Sequence, residues 1–273
     1  MPQSLHDDVL AIMRDVAATE VMPRWRNLAS TDIAVKTGPD DLVTVADQAA
    51  EAALTERLSK LLANASVIGE EAVAADPTVR ERFRRPGPVW VIDPIDGTSA
   101  FAAGEPDFTL MVALVQDGAP AAGWIVAPAL DHVVWGGMEL GVWQAKGSAP
   151  PTTLTRPAIP ETLSDMIGLL GKRNITPERR AELQARELHF KALDGVTYAG
   201  IDYQRLATGK AHFAAYSKSE PWDHLPGLAI LRTLGFHYAR YDGSAYRPGD
   251  NEGGLLVAPG VLSFACIRKI LFT

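Results

Sequence analysis

Several features are scarce in this sequence, and each scarcity excludes a class of protein. The chain has one cysteine, so no disulfide can form within it, and the apolar residues around Cys266 predict a buried core position. No apolar run reaches the length of a membrane-spanning helix, and no signal-peptide pattern opens the chain. Positively charged residues are also fewer than negatively charged ones, with 26 Lys and Arg against 33 Asp and Glu. We therefore expect a cytoplasmic protein with no nucleic-acid or membrane partner.

The remaining composition is typical of a globular chain with a large core. Of the 273 residues, 47% are hydrophobic, which suffices for one large domain or two packed halves. The hydrophobic periodicity predicts helices over 4–27, 47–63, 177–187, 199–208, 225–234 and 260–271. It predicts strands over 66–69, 89–93, 108–115, 121–127, 132–136, 165–170, 190–194, 211–215, 237–241 and 254–258. The stretch 147–160, rich in Pro, Thr and Ser, indicates a seam within a single unit of two halves, approximately 1–147 and 148–273.

The most informative stretch is 93–98, which reads Asp-Pro-Ile-Asp-Gly-Thr and follows an apolar run typical of a buried strand. Pro94 removes a backbone donor and Gly97 frees the backbone, which predicts that the strand ends there in a turn. Asp93 and Asp96 would then lie where α/β sheets hold their functional sites. Two carboxylates this close repel unless a cation lies between them, and oxygen ligands without His or Cys favour Mg²⁺ or Mn²⁺. The alternative is that both acids only shape the turn.

Further acidic residues lie at two other places where the pattern changes. Glu70 and Glu71 follow the apolar run 65–68, and Asp223 follows Trp222 at the start of an Ala- and Leu-rich helical stretch. Three ends of strands or helices would thus each deliver an acid. None of these acidic positions is by itself specific for metal binding, but the three together are typical of a metal site.

Four motifs follow one another along the chain. They are Asp41-Leu42-Val43-Thr44-Val45-Ala46-Asp47, Gly69-Glu70-Glu71, Asp93 to Thr98, and Trp222-Asp223. In this order they resemble the motifs of the inositol monophosphatase family. The resemblance implies a mixed α/β (α+β) fold, the layered α/β/α/β/α sandwich of the inositol monophosphatase and sugar phosphatase type. It also implies a homodimeric, Mg²⁺-dependent phosphomonoesterase that attacks phosphorus with a metal-activated water.

The resemblance also assigns the metal ligands by position. Glu70, Asp93 and the backbone carbonyl of Ile95 would hold one cation. Asp93, Asp96 and Asp223 would hold a second, and a weaker third site would again use Glu70. The site would therefore take two or three Mg²⁺ ions, with Mn²⁺ as a possible substitute.

Asp47 and Thr98 match the family pair that orients and deprotonates the water, and with Glu70 they form the predicted catalytic set. Thr44 and Asp47 also have the spacing of a capping box at the start of a helix, and the two roles are compatible. Lys36 matches a family lysine near the site, the alternative being a solvated loop lysine. A helix predicted after the turn would aim the backbone N–H groups of Gly97, Thr98 and Ser99 at phosphate oxygens.

The substrate side departs from the family pattern. Tyr216 stands seven residues before Asp223, where inositol-specific members have an acidic residue, and Thr197-Tyr198 replaces an expected Gly-Thr pair. Tyr198 and Tyr216 are therefore candidate substrate contacts. We expect a small phosphorylated metabolite, with myo-inositol 1-phosphate or a related polyol first and histidinol phosphate, sugar phosphates or nucleotide 3′-phosphates as alternatives. A non-enzymatic regulatory protein that retains the site is an alternative of another class.

Overall fold

The computed structural model describes residues 3–36, 38, 42–171 and 177–273, so Asp41 of the first motif lies outside the described residues. The α-helices are α1 (Gln3–Val16), α2 (Val45–Leu58), α3 (Glu70–Ala75), α4 (Thr98–Ala103), α5 (Pro177–Glu187), α6 (Ala199–Ala207), α7 (Pro221–Thr233) and α8 (Val261–Phe272). The strands are β1 (Ile33–Val35), β2 (Leu42–Thr44), β3 (Ser66–Gly69), β4 (Val89–Asp96), β5 (Thr109–Gln116), β6 (Ala119–Ala127), β7 (His132–Gly137), β8 (Gly141–Lys146), β9 (Thr152–Leu154), β10 (Ile167–Leu170), β11 (Ala192–Gly195), β12 (Phe213–Tyr216), β13 (His237–Arg240) and β14 (Leu255–Ala258).

Most of the strands form two sheets. The first has seven strands in the order β3–β4–β5–β6–β7–β8–β9, in which β3 and β4 are parallel and all later neighbours antiparallel. The second has five strands in the order β11–β10–β12–β14–β13 and combines parallel with antiparallel pairs. β1 and β2 form a small antiparallel ribbon. A hairpin turn at Asp117-Gly118 joins β5 to β6, with both residues at positive φ.

Sheets and helices stack in five layers, α/β/α/β/α. Helices α1 and α2 cover one face of the seven-stranded sheet, α6 and α7 lie between the two sheets, and α5 and α8 cover the outer face of the second. Both faces of strand β5 are buried, because its side chains point alternately to two different helix layers. Leu110 and Val112 face α1 and α2, while Met111 and Ala113, one step out of phase, face the middle helices. The predicted layered sandwich is confirmed.

Several predicted elements differ from the structure in their bounds, and two of these differences are of more than a few residues or change the position of the turn. The helix predicted over 4–27 is α-helical only to Val16, and a π-helical segment, Ala17–Val21, follows it. The prediction did not separate the two segments, because an apolar stripe does not distinguish these helix types. The strand predicted to end at residue 93 continues to Asp96, since a bulge after Asp93 accommodates Pro94 within the strand. The turn comes at Gly97, whose φ is 89°.

Close backbone contacts set the position of α7 against the first sheet. A Cβ at Gly123 of β6 would lie 2.0 Å from the carbonyl oxygen of Pro226, and a Cβ at Gly227 would lie 2.0 Å from the ring of Tyr203 on α6. Glycine at these two positions therefore lets α7 approach both β6 and α6. The first turn of α7, which carries Asp223, is positioned by this packing.

The predicted core position of Cys266 is wrong, because its side chain is exposed. Helix α8 buries Phe264, Ile267 and Leu271, which share one helical face, so Cys266 lies on the outer side. No helix among the described residues has the length and apolarity needed to cross a membrane. Strand β9 continues the first sheet to Leu154, and the division into two halves near residue 147 stays a prediction.

Candidate active site

The bulge in β4 places two carboxylates on the same face of the first sheet. Asp93 lies opposite Met111 of β5 and Asp96 lies opposite Thr109, so three steps along β4 match two along β5. In a regular strand, residues three apart point to opposite faces. The extra residue reverses the alternation, and Asp93 and Asp96 both face the middle helix layer, where they are buried.

Glu70 and Asp223 join Asp93 from two neighbouring elements. Glu70 is the first residue of α3, directly after β3, which is parallel to β4. Asp223 lies in the first turn of α7. Each of the three acids offers an oxygen within 4.8 Å of the oxygens of the other two, and Asp96 is not a member of this set. We call these three residues the acid cluster.

Burial and mutual repulsion disfavour negative charge in the acid cluster. Burial raises the pKa of Asp93 well above its usual value, and the charges of Glu70 and Asp96 raise it further. The pKa of Asp223 is also raised, by burial first and then by Glu70. Oδ1 of Asp93 is buried and has no hydrogen-bond partner among the described residues. A hard divalent cation fits this all-oxygen donor set, because it would satisfy that acceptor and remove the repulsion.

Asp47 reaches Thr98 from the first turn of α2. Thr98 Oγ1 lies 3.0 Å from Asp47 Oδ1 and 3.0 Å from the carbonyl oxygen of Ile95. Oδ2 of Asp47 accepts hydrogen bonds from the backbone N–H and the hydroxyl of Thr44, at 2.7 and 2.6 Å. The predicted capping box is therefore present beside the contact to Thr98. Burial raises the pKa of Asp47 to about 6, against the opposing effect of these hydrogen bonds.

Asp96 links β4 to the start of α6. Its Oδ2 accepts hydrogen bonds from the backbone N–H of Gly200 at 2.7 Å and from the hydroxyl of Thr109 at 3.3 Å. A Cβ at Gly200 would lie 2.0 Å from Thr109 Oγ1, so glycine is required for this approach. Burial raises the pKa of Asp96 to about 6, and the Gly200 hydrogen bond opposes that rise. Sequence reasoning did not predict this hydrogen bond, since 104 residues separate its two ends.

Lys36 is largely buried and lies beside the acid cluster. Its Nζ lies 2.8 Å from Glu70 Oε1 and 2.5 Å from Glu71 Oε1, and only 12% of its side chain is exposed. Burial by itself would lower the pKa of Lys36, but the Glu70 and Glu71 carboxylates raise it above its ordinary value. The lysine therefore stays charged and offsets the negative charge beside the acid cluster.

Tyr198 lies against the turn that follows β4. Its hydroxyl is 2.9 Å from Ser99 Oγ, and a Cβ at Gly97 would lie 3.0 Å from its ring. The predicted helix does begin here, as α4, and Phe101 N–H is bonded to the Gly97 carbonyl at 3.0 Å. The N–H groups of Thr98 and Ser99 precede that first intrahelical donor.

Tyr216 occupies a different environment from Tyr198. Its ring is 6% exposed and packs between Tyr203 and His224, with ring centroids 5.7 and 4.6 Å away. Its hydroxyl is buried and has no hydrogen-bond partner among the described residues. The position of Tyr216 therefore does not support the predicted substrate contact.

His224 is also a packing residue. Its Nε2 lies 3.0 Å from the carbonyl oxygen of Lys218 and its Nδ1 lies 3.1 Å from the Tyr203 hydroxyl. Since Nε2 faces a carbonyl oxygen, it carries the proton, and Nδ1 accepts from the hydroxyl. Both ring nitrogens are thus used within the protein.

Two further contacts near the acid cluster were missed by sequence reasoning. Glu51 of α2 accepts hydrogen bonds from the first turn of α3. Arg80 donates to Glu220 at 2.5 Å, and its guanidinium lies 4.7 Å from the centroid of the Trp222 ring. Glu51 follows Asp47 by four residues, and this helical spacing was an available signal. No local pattern links Arg80 to Glu220.

Comparison with known proteins agrees with this geometry. The family model described as Inositol monophosphatase family matches residues 7–268. A Histidinol-phosphatase of Mycobacterium tuberculosis is 25% identical, with 97% of this chain and 98% of that protein aligned. An Inositol-1-monophosphatase of Bacillus subtilis is 23% identical, with 85% of this chain and 84% of that protein aligned. The solved structure of a Thermotoga maritima IMPase has a TM-score of 0.79 at 21% identity, over 99% of this chain and 97% of that one. The chain therefore belongs to the inositol monophosphatase family, a family of phosphatases.

Proposed function

We propose that this protein is a Mg²⁺-dependent phosphomonoester hydrolase whose nucleophile is a water molecule. The observation that carries the proposal is the convergence of Glu70, Asp93 and Asp223 within 4.8 Å. Three carboxylates at this spacing repel one another, and bound cations would remove that repulsion while also binding the substrate phosphate. Neither Ser nor Cys is needed as a nucleophile, because phosphoryl transfer depends on positioning and charge neutralisation.

The site would hold two or three Mg²⁺ ions, with Mn²⁺ as a substitute. The proposed ligands are Glu70, Asp93, the Ile95 carbonyl, Asp96 and Asp223. When bound, such cations neutralise phosphate oxygens and lower the pKa of a coordinated water. The role of Thr98 is to orient that water, and Asp47 is the proton acceptor. Since Oδ2 of Asp47 accepts both hydrogen bonds from Thr44, its Oδ1 is directed to the Thr98 hydroxyl. With the Thr98 hydroxyl donating its hydrogen bond to Asp47, its lone pairs can accept a hydrogen bond from the water. As the water proton moves to Thr98 Oγ1, the Thr98 proton would pass to Asp47 Oδ1, so Asp47 ends with the proton.

The substrate phosphate would lie at the start of α4. The backbone N–H groups of Gly97, Thr98 and Ser99 are the proposed donors, and Lys36 adds positive charge from the side of Glu70. Tyr198 is the proposed contact to the alcohol part of the substrate, because its ring lies against Gly97. Tyr216 is assigned no contact, because its ring is enclosed.

We propose myo-inositol 1-phosphate or a related small phosphorylated polyol as the substrate. Histidinol phosphate is the second candidate, favoured by the name of the Mycobacterium tuberculosis relative that aligns with 97% of this chain. The aromatic ring of Tyr198 beside the phosphate turn is also suited to pack against the flat imidazole ring of histidinol phosphate. A cytoplasmic location, expected from the composition, and a homodimer, implied by the family resemblance, complete the proposal.

The experiment is a phosphate-release assay on inositol, histidinol, sugar and nucleotide phosphates, each with Mg²⁺ and with EDTA. Release that requires Mg²⁺ supports the proposal, and the ranking of kcat/KM identifies the substrate class. No release from any compound, by a protein that still binds Mg²⁺, would favour the non-enzymatic regulatory alternative.

A further inference from the structure

We propose that Glu51 is a positioning residue that holds Glu70 in place for the cation. Helix α2 would then set two parts of the site at once, the Asp47–Thr98 pair and the backbone of Glu70. This inference rests on the proposed function, because it assigns Glu70 to cation binding.

The contacts of Glu51 are directed at the backbone that carries Glu70. Oε2 of Glu51 accepts the N–H of Glu71 at 2.7 Å, and Oε1 accepts the N–H of Ala72 at 2.8 Å. Both N–H groups belong to the first turn of α3, which begins at Glu70. One carboxylate therefore bonds the two peptide groups that follow the proposed ligand.

Gly69 shows how tightly this junction is built. A Cβ at position 69 would lie 2.2 Å from Cδ of Glu51 and 2.4 and 2.5 Å from its two oxygens. The φ of Gly69 is −114°, an ordinary value for any residue, so backbone conformation does not demand glycine. Glycine is needed here for space, and the Glu51 carboxylate occupies that space.

The burial of Glu51 beside two other carboxylates indicates a role beyond helix capping. Glu51 is 7% exposed and stands near Glu70 and Glu71, so a third carboxylate is buried beside two others. A neutral capping side chain would avoid this repulsion. A buried carboxylate that accepts two N–H bonds in fixed directions orients the segment more strictly, as expected where a neighbouring side chain must meet a cation.

The spacing along α2 extends the argument. Asp47 and Glu51 are four residues apart, so they lie on the same face of α2, and both are buried. From that face Asp47 reaches Thr98 after β4 and Glu51 reaches α3 after β3. Because β3 and β4 are neighbours in the sheet, α2 spans the ends of both strands.

The test is Mg²⁺ titration calorimetry on the wild-type protein, Glu51→Gln and Glu56→Gln. Glutamine keeps the size of Glu51 but has one acceptor oxygen, and its NH₂ group faces the second N–H. We expect Glu51→Gln to weaken Mg²⁺ binding about 10-fold or more. Its Mg²⁺-induced rise in Tm should shrink accordingly. Glu56 is exposed on the same helix, so Glu56→Gln should bind Mg²⁺ like wild type.

A simple structural cap predicts a different pattern. Glu51→Gln would then lower Tm in EDTA while its Mg²⁺ affinity stayed within twofold of wild type, and that result overturns the inference. If the wild-type protein itself binds no Mg²⁺, the proposed function fails and the inference fails with it. Wild-type binding with no effect of Glu51→Gln refutes the inference alone.

Gly69 supplies a second, independent variant. Gly69→Ala should displace the Glu51 carboxylate and weaken Mg²⁺ binding as Glu51→Gln does. In a Glu51→Ala background the space is free, so adding Gly69→Ala should cause little further loss. Additive losses in the double variant would show that Gly69 and Glu51 act separately, against the inference.

Discussion

The hydroxyl of Thr98 lies 3.0 Å from Oδ1 of Asp47, although 51 residues separate them in the chain. The contact joins the first turn of α2 to the first residue of α4, and Thr44 holds the other oxygen of Asp47. A carboxylate fixed on one side and bonded to a hydroxyl on the other is suited to directing a proton.

Thr98→Val should lower kcat about 100-fold or more, because valine keeps the shape but cannot relay a proton to Asp47. Thr98→Ser keeps the hydroxyl and should stay within about tenfold of wild type. Steady-state kinetics at saturating Mg²⁺ measures both. A Thr98→Val enzyme with kcat within threefold of wild type would remove Thr98 from the proton path.

Asp93→Asn should abolish turnover and make the metal-free protein more stable. The carboxylate is buried beside Glu70 and Asp96, so removing its charge relieves repulsion. In EDTA we expect a Tm rise of about 2–4 °C, corresponding to roughly 1 kcal/mol. The rise in Tm that Mg²⁺ produces in wild type should be lost.

Asp117→Asn is the matched control, because Asp117 is an exposed acid at a turn with φ 50°, which asparagine tolerates. Thermal unfolding of both variants with Mg²⁺ and with EDTA checks the prediction. A normal Mg²⁺ response in Asp93→Asn would exclude Asp93 as a ligand.

Asp202 should make the protein less stable as pH rises. It is fully buried on α6, and burial raises its pKa from 3.8 to about 7, against a hydrogen bond from the Thr197 N–H. The folded state therefore holds this proton between those two pH values. The contribution of protonated Asp202 to the free energy of unfolding is complete below the unfolded pKa of 3.8 and is lost as pH rises through the folded pKa of about 7. The total loss would be at most on the order of 4 kcal/mol.

The Asp202→Asn variant removes the titrating group, so its free energy of unfolding should fall less than that of wild type between pH 5 and pH 8. Denaturant unfolding in EDTA at several pH values gives this difference. Asp194→Asn is a suitable control. Arg205 lies 3.9 Å from Asp202 and 2.7 Å from Asp194, but Asp194 is 46% exposed. Parallel pH curves for wild type and Asp202→Asn would contradict the assignment.

Tyr198→Ala should change substrate preference without changing Mg²⁺ binding. The Tyr198 ring lies against Gly97 and its hydroxyl bonds Ser99, outside the acid cluster. We expect KM to change several-fold and unequally across the phosphate panel. Tyr241→Phe is the control, because the Tyr241 ring stacks on Phe272 at 3.8 Å and phenylalanine keeps that contact. Equal KM changes for every substrate would assign Tyr198 a structural role.

The sequence predicts which ends of strands and helices carry the candidate site residues, because each of these residues lies next to a local sequence pattern. An apolar run before Asp93, another before Glu70 and a helical stretch after Asp223 predict where strands end and helices begin. The capping box of Thr44 and Asp47 is equally local and is present. Layer order came from the family resemblance and is confirmed by the two sheets and three helix layers.

Other features depend on contacts between distant segments. Periodicity alone would point Asp93 and Asp96 to opposite faces, and only the pairing of β4 with β5 reveals the bulge that unites them. The burial of Tyr216 and the exposure of Cys266 were likewise decided by neighbouring elements.

The sequence by itself determined which acids sit at the ends of which strands and helices, because those ends follow from hydrophobic periodicity and turn residues within a few positions. The tertiary structure alone decided how these ends meet. Glu51 reaches the α3 backbone across 20 and 21 residues, and the Gly200 N–H reaches Asp96 across 104. Such contacts arise when packed layers bring distant backbone groups within hydrogen-bonding distance, and no local pattern records that distance.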